Sequence, residues 1–159
     1  FKRNFSMFRE ACQKQGYEAS PYQLGWLLPI YVSETDDKAW DEYLPHLRYF
    51  IDNLLKGLVV LPPGYTSARS IAAIGKALDK FMSAAKTRKE LEAGGYVVVG
   101  SPETVRDQLQ ERITDLGVGN LLGLFQMGTL PHDMTCRSMT MFAESVMPSL
   151  RGIWSEVPA

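Results

Sequence analysis

The residue types that could bind an anion or move a proton stand directly after three apolar runs of the sequence. A glycine there lets backbone N–H groups approach an anion, and a serine, glutamine or glutamate adds a donor or a proton carrier. Parallel strands bring the residues that follow them to one edge of a sheet. The candidate positions are therefore Ser33, Glu34, Gly100, Ser101, Gln126, Gly128 and Thr129.

Gly100 and Ser101 have two interpretations that the sequence leaves open. A helix start led by glycine is a frequent phosphate site, because free N–H groups point at the ligand. However, Pro102 removes one N–H group from this helix start, and Glu103 places a negative charge beside it. Ser101 before Pro102 also fits plain helix capping, which is the favoured interpretation.

No self-sufficient catalytic group of residues stands out. Glu34 and the pair His132-Asp133 could move protons, but acids in a first helical turn are commonly explained by the positive helix end. Neither GxSxG nor GxGxxG occurs. The two histidines and two cysteines are scattered and form no zinc pattern, so we predict no metal site.

The stretch 95–148 supplies most of the elements that would position these residues. Tyr96–Val99 and Asn120–Met127 are apolar runs typical of parallel strands covered on both faces. An amphipathic helix between them has apolar residues at spacings of four, four and three: Val105, Leu109, Ile113 and Leu116. The fold class predicted from these patterns is α/β.

A third strand is predicted at Trp26–Val32, although Pro29 cannot donate a hydrogen bond within a sheet. The residues 57–94 are much longer than the connection of about 2–6 residues expected between a helix and a strand. We therefore predict a helical insertion there. Tyr65 lies in a Pro-Pro-Gly-Tyr turn of this insertion, and the sequence leaves open whether it is an ordinary surface tyrosine or covers a pocket.

Composition excludes several function classes. The chain has 159 residues and a net charge of −1, which argues against binding nucleic acid or an anionic membrane through bulk charge. No apolar run approaches the roughly 20 residues needed to span a bilayer. Unpaired cysteine spacing favours a reducing environment, so we predict a cytoplasmic protein without a disulfide.

Several motifs in combination resemble a known family. GSPE, RDQL, FQMGTLPHD and VMPSLR lie between residues 100 and 151, and YVSETDDKAW lies at 31–40. Together these motifs resemble the carboxy-terminal end of the bacterial-luciferase-like flavin-dependent monooxygenases and oxidoreductases. The resemblance implies the carboxy-terminal part of a (β/α)8 TIM barrel, with a single partial-barrel domain at 1–159 and the helical insertion at 57–94.

The resemblance also implies a cofactor and a reaction. Members of the family use reduced FMN and O2 on a small organic substrate; some use a deazaflavin for hydride transfer, and others are non-catalytic flavin-binding or structural relatives. It implies cofactor contacts from Gly100, Ser101, Gln126 and Gly128, and a substrate pocket lined by Leu27, Pro29 and Tyr65.

Two departures from the family pattern refine these expectations. Leu27 and Pro29 stand where the alkanesulfonate and long-chain alkane branches carry an arginine and a histidine, so we expect a less polar pocket and no desulfonation. A whole barrel takes about 250 residues. We therefore expect a fragment that is inactive alone, whose partners are the missing amino-terminal barrel half and further copies of the protein.

Overall fold

The computed structural model describes residues 2–55, 67–73, 75–76 and 87–154. Tyr65 and much of the predicted insertion at 57–94 lie outside the described residues. The helices are α1 (Lys2–Lys14), α2 (Asp36–Tyr49), α3 (Arg88–Gly94), α4 (Pro102–Leu116), α5 (His132–Met141) and α6 (Met147–Leu150). The strands are β1 (Gly25–Val32), β2 (Val98–Gly100) and β3 (Asn120–Leu124).

Shorter helical segments complete the described chain. A 3-10 turn (Pro21–Gln23) precedes β1, and π-helical segments (Phe50–Leu55 and Phe142–Val146) continue α2 and α5. Residues 68–73 are also helical. No helix of the described residues is both long enough and apolar enough to cross a membrane.

The three strands form one parallel sheet with β1 in the centre and the order β2-β1-β3. Residues Gly25–Pro29 of β1 pair with Asn120–Leu124, whereas the last three residues of β1 pair with Val98–Gly100. Pro29 is the last residue paired with β3, and pairing with β2 begins at Ile30. A proline fits this central strand because it lies where β1 changes its partner.

Helices cover both faces of the sheet. The face that carries Leu28, Ile30 and Val98 packs on α4 in one buried cluster. The opposite face, with Tyr31 and Val99, packs on α2 and α3 in a second cluster. Successive strand residues point to opposite faces, so a short run of valines can serve both clusters. The strand predicted at 96–99 lies at Val98–Gly100, and its coverage on both faces is confirmed for Val98 and Val99.

The same prediction is wrong for β3. The strand exists, but it ends at Leu124 instead of Met127, and most of its residues are exposed. Leu122 is 51% exposed and Leu124 is 38% exposed. The cause is position: β3 lies at the sheet edge, and within the described residues no helix covers its face on the Tyr31 side.

Two further features differ from expectation. Pro45 is expected to interrupt a helix, because proline has no N–H group to donate, but α2 runs through it without a break. The sheet order also differs from a barrel wall, in which strands pair in sequence order and every helix lies outside. In the described residues both sheet faces are apolar, and each therefore receives a helix.

Candidate functional site

An apolar cleft of about 340 Å³ lies on the face of the sheet shared by Leu27, Pro29 and Tyr31. The register pairs Leu27 with Leu122 and Pro29 with Leu124, which places these side chains on one face. Leu27 is 61% exposed within this cleft. The cleft, called the β1 cleft below, is lined by Leu27, Pro29, Phe50, Tyr96, Leu124 and Met127.

The loop after β3 places Met127 in the β1 cleft. Gly128 has a φ of +55°, and a Cβ atom there would lie 2.4 Å from the carbonyl oxygen of His46, so only glycine fits this approach to α2. His46 Nδ1 lies 2.9 Å from the Thr129 hydroxyl. Met127 is consequently buried, at 2% exposure, against the end of α2.

Gln126 is held within the same loop. Its side-chain Nε2 donates to the Leu130 carbonyl at 3.0 Å, and its Oε1 accepts from the Thr135 hydroxyl at 2.6 Å. Both ends of the amide therefore fix the loop between β3 and α5. Gln126 and Gly128 flank Met127 and do not themselves line the β1 cleft.

Gly100 and Ser101 lie at the start of α4, where the donor groups already hold a carboxylate. The Ser101 N–H donates to Asp36 Oδ1 at 2.7 Å, and the Thr104 hydroxyl donates to Asp36 Oδ2 at 3.0 Å. The Ser101 side chain caps the helix by accepting from the Thr104 N–H at 3.3 Å. A Cβ on Gly100 would lie 2.7 Å from Asp36 Oδ1.

Asp36 therefore stands where a phosphate would bind. Burial acts to raise the pKa of its carboxyl, but the hydrogen bonds from Ser101 and Thr104 outweigh burial and hold the pKa below its usual range. The carboxylate joins the first turns of α2 and α4, both of which offer unsatisfied N–H groups. This geometry favours the capping interpretation of Ser101.

A polar group beyond the end of β1, called the carboxyl-end network, surrounds the Glu42 carboxylate. Glu42 Oε2 accepts from the Tyr31 hydroxyl and from the Ser33 hydroxyl, each at 2.9 Å. Glu42 Oε1 accepts from Arg137 at 2.7 Å. The Ser33 hydroxyl also lies 2.6 Å from Glu34 Oε2, and with one proton it donates to one carboxylate at a time.

The three acidic groups of the network have shifted pKa values. Burial and the hydrogen bond to Glu42 raise the pKa of Tyr31 to about 12. Burial acts to raise the pKa of Glu42, but the Ser33, Tyr31 and Arg137 hydrogen bonds outweigh it and hold the pKa below its usual range. A hydrogen bond from Lys38, and a smaller effect of the hydrogen bond from Ser33, lower the pKa of Glu34 to about 2.

Sequence reasoning found part of this arrangement. The predicted pocket residues Leu27 and Pro29 lie together in the β1 cleft, whereas Gly100 and Ser101 lie at the separate α4 start. Tyr65 lies outside the described residues. The residues missed are Phe50, Tyr96, Met127, Glu42 and Arg137. For Glu42 a signal existed, because Glu34, Lys38 and Glu42 follow at helical spacings of four.

A second apolar groove of about 310 Å³ lies on the opposite face of the sheet. Arg151 is its one charged lining residue among those the structure describes. Its aromatic walls include Phe125 and Phe142, whose rings meet edge to face at 5.0 Å. Trp154 closes one end and donates its indole N–H to the Val118 carbonyl at 2.8 Å. The β1 cleft and this groove are therefore separated by the sheet.

No protein-family model matches the chain, and no curated protein sequence matches it. Its fold is that of fragments of monooxygenase structures: an α/β arrangement with a small parallel sheet. One such structure is the monooxygenase RslO1 from Streptomyces bottropensis, with 20% sequence identity and a TM-score of 0.57. The matched region covers 92% of this chain and 37% of RslO1.

A second similar structure is the oxygenating constituent of 3,6-diketocamphane monooxygenase from the CAM plasmid of Pseudomonas putida, a type II Baeyer-Villiger monooxygenase in complex with FMN. The identity is 17% and the TM-score 0.61, over 92% of this chain and 39% of that one. The chain thus spans less than two fifths of the length of each neighbour. The likeness supports the α/β fold class predicted from the sequence.

Proposed function

We propose that the chain is part of a flavin-dependent oxidoreductase, namely a luciferase-like monooxygenase that uses reduced FMN and O2 on a small organic substrate. The observation that carries the proposal is the structural likeness to two monooxygenases over 92% of the chain. The motifs at 31–40 and 100–151 support the same family from the sequence alone. The β1 cleft is the proposed binding site for the flavin ring or the substrate.

The β1 cleft fits the ring system of a flavin better than it fits the phosphate. Its lining from Leu27, Pro29, Phe50 and Leu124 is apolar, and its volume of about 340 Å³ suits a planar ring or a small apolar substrate. The donors at Ser101 are engaged by Asp36, so the phosphate would be held by residues outside those described.

In this proposal the cofactor supplies the electrons that activate O2, and the chain supplies the environment. Leu27, Pro29 and Leu124 would contact the apolar ring or substrate and keep water away from it. The loop around Gln126 and Gly128 would hold Met127 against the cleft, which is a positioning role. Substrate choice would follow the apolar lining, consistent with an uncharged small molecule.

We further propose that in its parent protein the chain belongs to a closed (β/α)8 barrel. The support is the span of less than two fifths of each neighbour, together with the exposed apolar side chains of Leu27, Leu122 and Leu124 on one sheet face. Further polypeptide of the parent would cover that face. Because α2 packs on the same face and β3 pairs with β1, closure would require α2 to move outward and β3 to pair with β2 instead of β1.

The test is an FMN titration followed by quenching of flavin fluorescence. Leu27 and Leu122 make a matched pair, because both are exposed on the same sheet face but only Leu27 lines the β1 cleft. We expect saturable quenching by the natural chain, loss of at least about tenfold in affinity for Leu27→Lys, and little change for Leu122→Lys.

Equal behaviour of the two lysine variants, or no saturable quenching by the natural chain, would refute the assignment of the cleft. Binding alone does not establish catalysis. FMN that binds stoichiometrically without supporting oxygen-dependent product formation in the parent protein would favour a non-catalytic relative. Turnover of reduced FMN with an aldehyde or ketone by the 159-residue chain alone would contradict our expectation that the fragment is inactive.

A further inference from the structure

The outer edge of β3 carries backbone groups that no strand of the described residues pairs with. The Asn120 N–H donates to the Leu24 carbonyl at 3.2 Å, so the peptide groups of Asn120 point towards β1. Along a strand these groups point alternately to one side and to the other. The N–H and C=O groups of Leu121 and Gly123 therefore point away from β1, at the free edge.

The sequence around β3 lacks the residue types that commonly protect such an edge. Residues 116–131 include no aspartate, glutamate, lysine or arginine, and β3 itself contains no proline. Sheets in natural proteins use charged side chains and prolines to prevent an edge strand from pairing with another chain. In addition, Leu122 is 51% exposed. The edge thus combines free hydrogen-bonding groups, an exposed apolar side chain and no charge on the strand.

We propose that β3 pairs with β3 of a second copy of this chain, in an antiparallel arrangement centred on Leu122. A two-fold axis at this position places Leu121 of each copy opposite Gly123 of the other. Since the free backbone groups belong to Leu121 and Gly123, each such pair can exchange both of its N–H···O=C hydrogen bonds. Leu122 then lies opposite Leu122 of the other copy, in a non-hydrogen-bonded pair, where side chains approach most closely.

The centre at Leu122 follows from the strand itself. Leu122 is the middle residue of Asn120–Leu124, so this centre lets the whole of β3 overlap with its copy, whereas any other centre shortens the overlap. Two identical neutral strands also meet without like-charge repulsion between them. The proposal does not rest on flavin binding. In a longer parent protein, further polypeptide would take the place of the second copy at this edge.

The test measures self-association of the chain by sedimentation equilibrium at concentrations from about 1 µM to about 1 mM. We expect a reversible equilibrium between the chain of 17.8 kDa and a species of twice that mass. Leu122→Lys and Leu122→Glu each place two like charges opposite one another at the axis. We expect each variant to raise the dissociation constant at least about tenfold, because the change is present in both copies.

An equimolar mixture of Leu122→Lys and Leu122→Glu is the decisive sample. In a mixed dimer the introduced lysine lies opposite the introduced glutamate, and opposite charges attract at this position. We expect the mixture to dimerise at least about tenfold more tightly than either variant alone. Recovery on mixing also shows that both variants are folded, since an unfolded chain would not regain pairing.

Leu27→Lys is the matched control, because Leu27 is 61% exposed on the same sheet face but belongs to the central strand. We expect its dissociation constant to stay within about threefold of the natural value. A chain that remains monomeric over the whole concentration range would overturn the proposal, as would a mixture that dimerises no more tightly than its components. Equal weakening by Leu27→Lys and Leu122→Lys would show that the copies pack through their sheet faces, which also contradicts pairing at the edge.

Discussion

At the scale of single residues, the Glu42 carboxylate is the most consequential polar group that the structure describes. It accepts hydrogen bonds from Tyr31, Ser33 and Arg137, which lie on β1, in the following turn and on α5. Its side chain is 18% exposed. The Glu42 carboxylate on α2 is therefore linked to β1, to the turn after β1 and to α5. Its loss would leave the three donors without a charged acceptor.

Replacing Glu42 by glutamine should make the free energy of unfolding less dependent on pH in the acidic range. A carboxyl whose pKa is lowered by folding contributes stability above its unfolded pKa and loses it as the pH falls through the folded pKa. We expect Glu42→Gln to cost about 1–3 kcal/mol at neutral pH, because hydrogen bonds to a charged group are lost. The difference should shrink as the pH falls from about 5 towards about 3.

Urea unfolding at several pH values measures this difference. Asp41→Asn is the control, since Asp41 is exposed and adjacent on α2, and it should leave the unfolding free energy within about 0.5 kcal/mol of the natural value. A stability gap between Glu42→Gln and the natural chain that is the same in acid as at neutral pH would show that the carboxylate charge is not involved.

At the scale of elements, the first turns of α2 and α4 are tied together by Asp36. Its carboxylate accepts from the Ser101 N–H and the Thr104 hydroxyl and is only partly exposed. The neighbouring Asp37 differs from Asp36 in its exposure to solvent, which decides how much its ion pair contributes to stability. Its carboxylate pairs with Arg88 at 2.8 Å, but its side chain is 90% exposed, and exposed ion pairs contribute little.

Alanine substitutions at these two aspartates should therefore have unequal effects. We expect Asp36→Ala to lower the free energy of unfolding by about 1–3 kcal/mol, because two donors at the start of α4 lose a charged acceptor. Asp37→Ala should cost less than about 1 kcal/mol. Thermal and urea unfolding of the two variants provide the comparison, and equal losses would contradict the proposed link between the helices.

The elements that could be predicted from sequence are those with local signals. The helix α4 has Ser101 as its cap and Gly117, with a φ of +63°, at its end, and both are readable from residue types. Pro45 is a residue type that normally ends a helix, but it is tolerated inside α2 because surrounding packing compensates the lost hydrogen bond. Leu47, buried two residues later, is part of that packing.

The strand order could not be predicted, because strand pairing depends on contacts distant in sequence. Ile30 pairs with Val98, and Trp26 pairs with Leu121, across separations that no local pattern records. The same limit applies to the carboxyl-end network, in which Arg137 reaches Glu42 from 95 residues away. In the β1 cleft, only Leu27 and Pro29 could be predicted from the sequence. Their prediction came from the resemblance of the surrounding motif to the luciferase-like family.

At the scale of the whole molecule, the chain combines a well-packed half and an incompletely covered half of one sheet. At β2, Val98 and Val99 are buried between two helix layers, as is Val97 directly before the strand. At the other edge, Leu122 and Leu124 are exposed beside the β1 cleft. We account for this asymmetry by the proposal that further polypeptide of a longer parent covers the exposed face.

The central claim is that the β1 cleft, and not the groove on the opposite face, binds the flavin ring. The most direct measurement is a titration of the chain with FMN, followed by NMR of its ¹³C-labelled leucine and methionine methyl groups. Leu27, Leu124 and Met127 report on the cleft. Leu121 and Met147 report on the opposite groove.

We predict that the methyl signals of Leu27, Leu124 and Met127 shift with a common saturation curve, while those of Leu121 and Met147 stay in place. Shifts confined to Leu121 and Met147, or no saturable shift at any of the five methyl-bearing residues, would contradict the account.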